Sequence, residues 1–463
     1  MRTHHYSARS FRIALTLGLI LVVAPATAQK DNGWTDTIFS PVALQEDIRY
    51  YRSRLETLHP NLYLYFSREA CDRFFDSLLA SINQPMTTGA FYSLICLSSS
   101  RIRDGHTLIL PPSPLLELKN RKLPFLPYQL GIEQGRLLVR LRCTADTSIP
   151  EGAEIQAING VRSADILQFL LDRQVRDGNN PAYALWILDQ YFRDYYSFHF
   201  GNPREFVIRF KTGEGEKQVR VTALTRDSII HYRSVFHPEI HFGPRPGEGL
   251  QLAIPAGQDY AVLRIRDFDN ETLREEYRQS FKWFTRSAMD SLNRLAVANL
   301  IIDLRDNQGG DIGNAVFLLA RLLDHRFRVL TGYQKLRAGK LVRSGGSALG
   351  WHRPVSNPYR GKIYVLVNGG SFSNSVIFSG CLRENNRAVF IGSEAGGNPH
   401  VLGGDARGLV LPNTQLEVQV PTRRYLLTAI ERNPGRGLVP EYEVKGIPGR
   451  DAALELALKL IHQ

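Results

Sequence analysis

Two stretches of this chain share one pattern, and it restricts the fold more than any other feature. Asn299 to Leu304 and Ile363 to Val367 are short apolar runs, and each leads into a glycine pair, Gly309–Gly310 and Gly369–Gly370. A helical pattern follows each pair, over Asn314 to Leu323 and from about Ser373 to Leu382. Apolar runs of strand length with helices between them predict a parallel sheet covered on its faces, joined by right-handed crossovers. Tyr260 to Ile265 reads as a strand before the first run, Glu271 to Leu295 as one long helix, and Ala388 to Ile391 as a strand after the second. Residues 325–360 read as a long polar insertion. The fold class is α/β.

The same turns are where chemistry would sit. A serine at a strand-to-helix turn has its hydroxyl held by the backbone, beside helix N–H groups that lack an acceptor. Acyl transfer needs that combination of a fixed nucleophile and oxyanion donors. Ser373 fits it, and it equally fits an ordinary N-cap. Gly309 or Gly310 could give a second donor from the other turn, or could serve only the turn's backbone.

Beyond this core the chain reads in order as follows. Residues 1–28 resemble a secretory signal, with Arg9 and Arg12 ahead of an apolar Ile13 to Val23 and an Ala26-Thr27-Ala28 cleavage site. The expected mature protein is exported, periplasmic or secreted, with no stable membrane span. The formal charge is +12; the first 28 residues hold Arg2, Arg9 and Arg12 and no acidic residue, so +9 lies beyond them. The basic residues form no block, which argues against a nucleic-acid partner. Pro41 to Leu58, Arg68 to Ile82 and Thr87 to Ser100 read as helices. The third leads through Asp104-Gly105-His106-Thr107 into an apolar strand, Leu108 to Leu110, so His106 falls on a helix-to-strand turn. Pro124 to Arg142 suggests two strands, Ser163 to Arg173 a helix, and Glu205 to Thr222 a hairpin. The aromatic-rich stretch 174–201 could line a cleft or pack between domains. His231, His237 and His241 are placed in a Pro/Gly-rich loop, at spacings that match no standard metal pattern. Cys96 and Cys381 read as buried thiols, and a Cys71–Cys96 disulfide is open.

Four motifs in order resemble the C-terminal processing (tail-specific) peptidases and the tricorn protease core. They are Asp104-Gly105-His106-Thr107, Asp303-x-Arg305-x-Asn307-x-Gly309-Gly310, Val367-Asn-Gly-Gly-Ser-Phe-Ser373-Asn-Ser375 and Gly392-Ser-Glu-Ala-Gly-Gly397. The match spans about 258–445. Ile149 to Val161 and the helix after it resemble the later half of a PDZ domain. The resemblance implies a ClpP/crotonase-like core with an N-terminal helical domain and a PDZ-like β-rich domain. The corresponding divisions are 1–28, 29–118, 119–225 and 226–463. It implies Ser373 as nucleophile, with oxyanion donors from the backbone of Asn374 and of Gly309 or Gly310. The lysine of the tail-specific branch is replaced by Asn398, Val376 stands where many members carry Glu, and Phe372 is bulkier than the usual Ala. The chain therefore reads nearer the tricorn-like Ser-His branch, with His106 as general base and Glu431 as the acid that orients it. The implied function is an exported serine endopeptidase on peptide or protein substrates, needing no metal or cofactor. Alternatives are a catalytically reduced binding protein on the same scaffold, or an acyl esterase.

Overall fold

The computed structural model describes residues 37–241, 243–346, 348–429, 434–446 and 450–463. The secretory-signal segment lies outside the described residues. The predicted parallel sheet is present. Its strands run in the order Leu250–Ala253, Tyr260–Ile265, Asn299–Asp303, Lys362–Val367, Val389–Gly392 and Tyr442–Glu443, antiparallel in the first pair and parallel thereafter. All five residues of Asn299–Asp303 are buried, as a strand covered on both faces requires. Helices Phe281–Arg294, Ile312–Leu322 and Asn374–Glu384 bury their apolar faces with Ile302, Val365 and Val367, while Ala453 and Ala457 of the helix Ala452–Ile461 pack with Ile301, Leu366 and Ile391.

Two further large sheets, beside two short two-stranded ones, complete a mixed α/β fold. One has the order Gly215–Thr222, Glu205–Thr212, Glu154–Ile158, Arg136–Arg142 and Tyr128–Glu133. Its inner residues share one apolar cluster with the helices Pro41–Leu58, Arg68–Ser81, Thr88–Ile95 and Leu97–Ile102. The other pairs Lys340–Ser344, Leu330–Arg337, Glu417–Leu427 and Val401–Val410. The strand Leu108–Leu110 joins it antiparallel to Glu417–Gln419. That pairing carries the segment around His106, two residues upstream, onto the core.

Four expectations are corrected. The long helix over 271–295 is two, Asn270–Glu275 and Phe281–Arg294. Arg278 between them has φ 56°, and the Gln279 side chain bonds both Leu250 N and Leu250 O, so a neighbouring strand edge overrides local helix preference. The third N-terminal helix is likewise split, at Cys96. His231 lies in a helix, Arg226–Phe236, capped by Thr225 accepting from Ser228 N. The polar insertion contains the hairpin of Leu330–Arg337 and Lys340–Ser344. All four cysteines are buried free thiols, which closes the Cys71–Cys96 alternative.

Candidate active site

Ser373 sits at the N-cap of the helix Asn374–Glu384, yet its side chain makes no capping bond. Its backbone has φ 52° and ψ −116°, a region that a residue with a Cβ adopts at a cost on the order of 1–3 kcal/mol. The adjacent serines are structural. Ser371 Oγ donates to Leu304 O and accepts from Asn368 N. Ser375 Oγ donates to Asn307 O and Oδ1. Ser373 Oγ instead lies 3.1 Å from His106 Nε2, across 267 residues of chain.

The two motifs meet through Asn307. Its Oδ1 accepts from Gly309 N and Ser375 Oγ, its carbonyl accepts from Phe372 N, and its Nδ2 donates to Ile265 O. Gly309 has φ +104°, and a Cβ there would fall 2.7 Å from Asn374 N and 2.8 Å from Ser373 Cβ, so this turn admits glycine only. Gly310, also at positive φ, lies against Phe268 and Asp269. The Gly309 amide is committed to Asn307, whereas among the described residues no acceptor is seen for the amides of Gly310 or Asn374.

His106 is held from its backbone. Asp104 Oδ1 accepts from His106 N, and Asp177 Oδ1 accepts from Gly105 N at 2.7 Å. The Asp104 Oδ2 accepts from Asn61 Nδ2, and Asn61 Oδ1 in turn accepts from Arg424 Nε. His59 Nδ1 accepts from Asn61 N, so its Nε2 carries the proton and donates to Thr107 Oγ1 at 2.8 Å. The other Asp177 oxygen accepts from Asn398 N. Asp177 thus bridges the His106 turn and the loop after the strand Val389–Gly392. Burial first, then the nearby Asp104 charge, push its carboxyl above the usual range. Burial lowers the His106 pKa, and Asp104 partly offsets it. The His106 Nδ1 is 3.9 Å from Asp104 Oδ1 and has no hydrogen-bond partner among the described residues. Glu431, the expected acid, lies outside them.

Asn398 is buried, and both ends of its amide are hydrogen-bonded. Its Nδ2 donates to Tyr65 OH and its Oδ1 accepts from His400 N and Val401 N. The aromatic stretch packs rather than opening a cleft. Tyr183 stacks on Phe372, Trp186 Nε1 donates to Asp306 Oδ1, and Phe192, Tyr195, Tyr196 and Phe198 lie in the N-terminal apolar cluster. Asn307 and Asp177 are the residues that reading the sequence missed as site residues. Asn307 was visible as part of a motif, but Asp177 lies in none.

Residues 259–444 match the family model of peptidase family S41. This core is similar to peptidase family S41. Among curated relatives, a "Probable CtpA-like serine protease" of Staphylococcus saprophyticus is 22% identical over 249 residues, covering 53% of this chain and 44% of that protein. One of the same name from Staphylococcus epidermidis is 23% identical over 239 residues, covering 51% and 40%. The chain thus spans less than half the length of the curated relatives it matches. A solved structure of mature CPAF complexed with lactacystin aligns over 91% of this chain and 97% of its own, with TM-score 0.65 and 13% identity. That likeness extends the shared fold well beyond the S41 segment.

Proposed function

We propose that the protein is an exported serine endopeptidase with Ser373 as nucleophile and His106 as general base. The observation that carries this is the 3.1 Å approach of Ser373 Oγ to His106 Nε2, made by a serine whose side chain has given up capping its helix. Neutral His106 takes the hydroxyl proton as Ser373 Oγ attacks the peptide carbonyl, then donates it to the leaving amine; a water repeats the cycle on the acyl-enzyme. The amide of Asn374, at the helix N-terminus, and that of Gly310 are the oxyanion donors that fit best, because the Gly309 amide already has an acceptor. Glu431 is assigned the role of orienting His106, by resemblance. Val161–Arg162 follows the strand Glu154–Ile158 antiparallel before the helix Ser163–Leu171, which agrees with a PDZ-like unit that presents substrate. The divisions near residues 118 and 225 are proposed on the same ground, and export rests on residues 1–28. The match of the core to the S41 family model and the "serine protease" in its relatives' names support the peptidase reading.

The test is labelling of the purified mature protein with a fluorophosphonate probe, beside Ser373→Ala and His106→Ala. Labelling and peptide hydrolysis are expected in the wild type and lost in both variants, with circular dichroism unchanged. Wild-type turnover in either variant overturns the assignment.

A further inference from the structure

Phe372 immediately precedes Ser373 and is 4% exposed. Its ring stacks on Tyr183 with centroids 4.0 Å apart and planes 3° apart. The His106 ring lies 4.7 Å from Phe372, tilted by 32°. Two rings so close cannot share one face, so Phe372 lies between them. Trp186 stacks behind Tyr183 at 6.0 Å and 8°, and its indole N–H is tied to Asp306. The column Trp186, Tyr183, Phe372, His106 therefore ends on the imidazole. Gly105 makes room for it, since a Cβ there would fall 2.6 Å from Phe372 Cζ.

We propose that Phe372 is a positioning residue for His106, holding the imidazole towards Ser373 and stabilising with its π face the imidazolium formed when the serine proton is taken. This rests on the Ser373–His106 reading. A cation within about 6 Å of a ring centroid is attracted by the ring quadrupole, more strongly when desolvated. The groups facing His106 besides Phe372 and Ser373 are Asp104 and Asp177, whose carboxylate oxygens and a His106 ring nitrogen all lie within 4.8 Å of one another, and His59. Asp104 acts on the imidazolium at 3.9 Å without a hydrogen bond to the ring. The face of Phe372 supports the ring plane itself, which neither carboxylate touches.

The experiment replaces Phe372 with Leu, and separately with ortho-difluorophenylalanine. Leu fills the site without a π face. With fluorines at the two Cδ positions the ring keeps nearly the same shape, leaves the Cζ and Cε positions beside Gly105 unsubstituted, and weakens the negative potential of the face. The Leu variant is expected to lose about tenfold in kcat and in fluorophosphonate labelling rate, at unchanged KM, which corresponds to about 1.4 kcal/mol. The acid limb of its pH profile should move down by about half a unit to one unit. The difluoro variant should fall between it and the wild type on both measures, with an unchanged melting temperature. A difluoro variant with wild-type rate and pH midpoint overturns the proposal, as does a Leu variant whose loss lies in KM alone. A wild type that the probe does not label overturns the Ser-His reading itself, and this inference with it.

Discussion

Ser371, Ser373 and Ser375 are chemically identical, and their surroundings separate them. Two spend their hydroxyls on buried backbone carbonyls, and the third is lifted out by a backbone at φ 52°. Asn307 makes that separation possible, because it anchors Ser375 Oγ and Phe372 N on either side of the raised residue. At this scale the pH dependence follows from His106. Burial disfavours its charged form, so its pKa lies below the ordinary value near ~6.5. In the proposed mechanism the neutral form is the base, so activity should persist as pH falls through ~6.5 and be lost only below it. The acid-limb midpoint of kcat/KM checks this, and a midpoint above ~6.5 contradicts it.

At the scale of elements, the Asp303-x-Arg305 motif is a joint. Arg305 donates to both oxygens of Asp303 and, with two nitrogens at 2.7 and 2.8 Å, to Asp451 at the start of the helix Ala452–Ile461. Arg264 also donates to Asp303. Arg305→Leu leaves Asp303 buried with one cation in place of two, and should cost about 3 kcal/mol of stability. Asp451→Asn should cost about 1 kcal/mol or less, because that carboxylate is part exposed. Thermal melts of the two variants check the order. Arg305 holds the Asp451 carboxyl below the usual range. Its contribution is therefore fully present above the ordinary carboxylate pKa near ~4, and is lost as pH falls through the lower, folded value.

At the scale of the molecule, the site lies on a seam. Ser373 and its proposed oxyanion donors come from the parallel-sheet core, while His106 comes from the N-terminal half and is carried in by the pairing of Leu108–Leu110 with Glu417–Gln419. Asn180 Nδ2 donates to Ala395 O at 2.7 Å, Trp186 reaches Asp306, and Asp177 joins the turn at Gly105 to Asn398. Asn180→Ala strands the Ala395 carbonyl in a buried place, at a cost of roughly 1–3 kcal/mol. Because that bond spans the seam, activity should be lost at lower urea than the far-UV signal. Coincident transitions would show that the two halves unfold as one.

By itself the sequence determined the parallel core. Apolar runs of strand length, glycine pairs and helical spacing are local signals, and the strands at 299–303 and 362–367 appear where they predict. It also pointed to Ser373, to Gly309 or Gly310, and to His106, because each sits at a turn between recognisable elements. The polar hairpin at 330–344 and the strand Val401–Val410, which contains Gly403, Gly404 and Gly408, carry no such local signal and owe their form to pairing with Glu417–Leu427. Only the tertiary structure decided which hydroxyl is free, that Asp177 clamps the His106 turn, and that Phe372 lies between Tyr183 and His106. The reason is physical: hydrogen-bond and ring partners that lie from 67 to 267 residues apart leave no periodicity in the chain, and only packing brings them within reach.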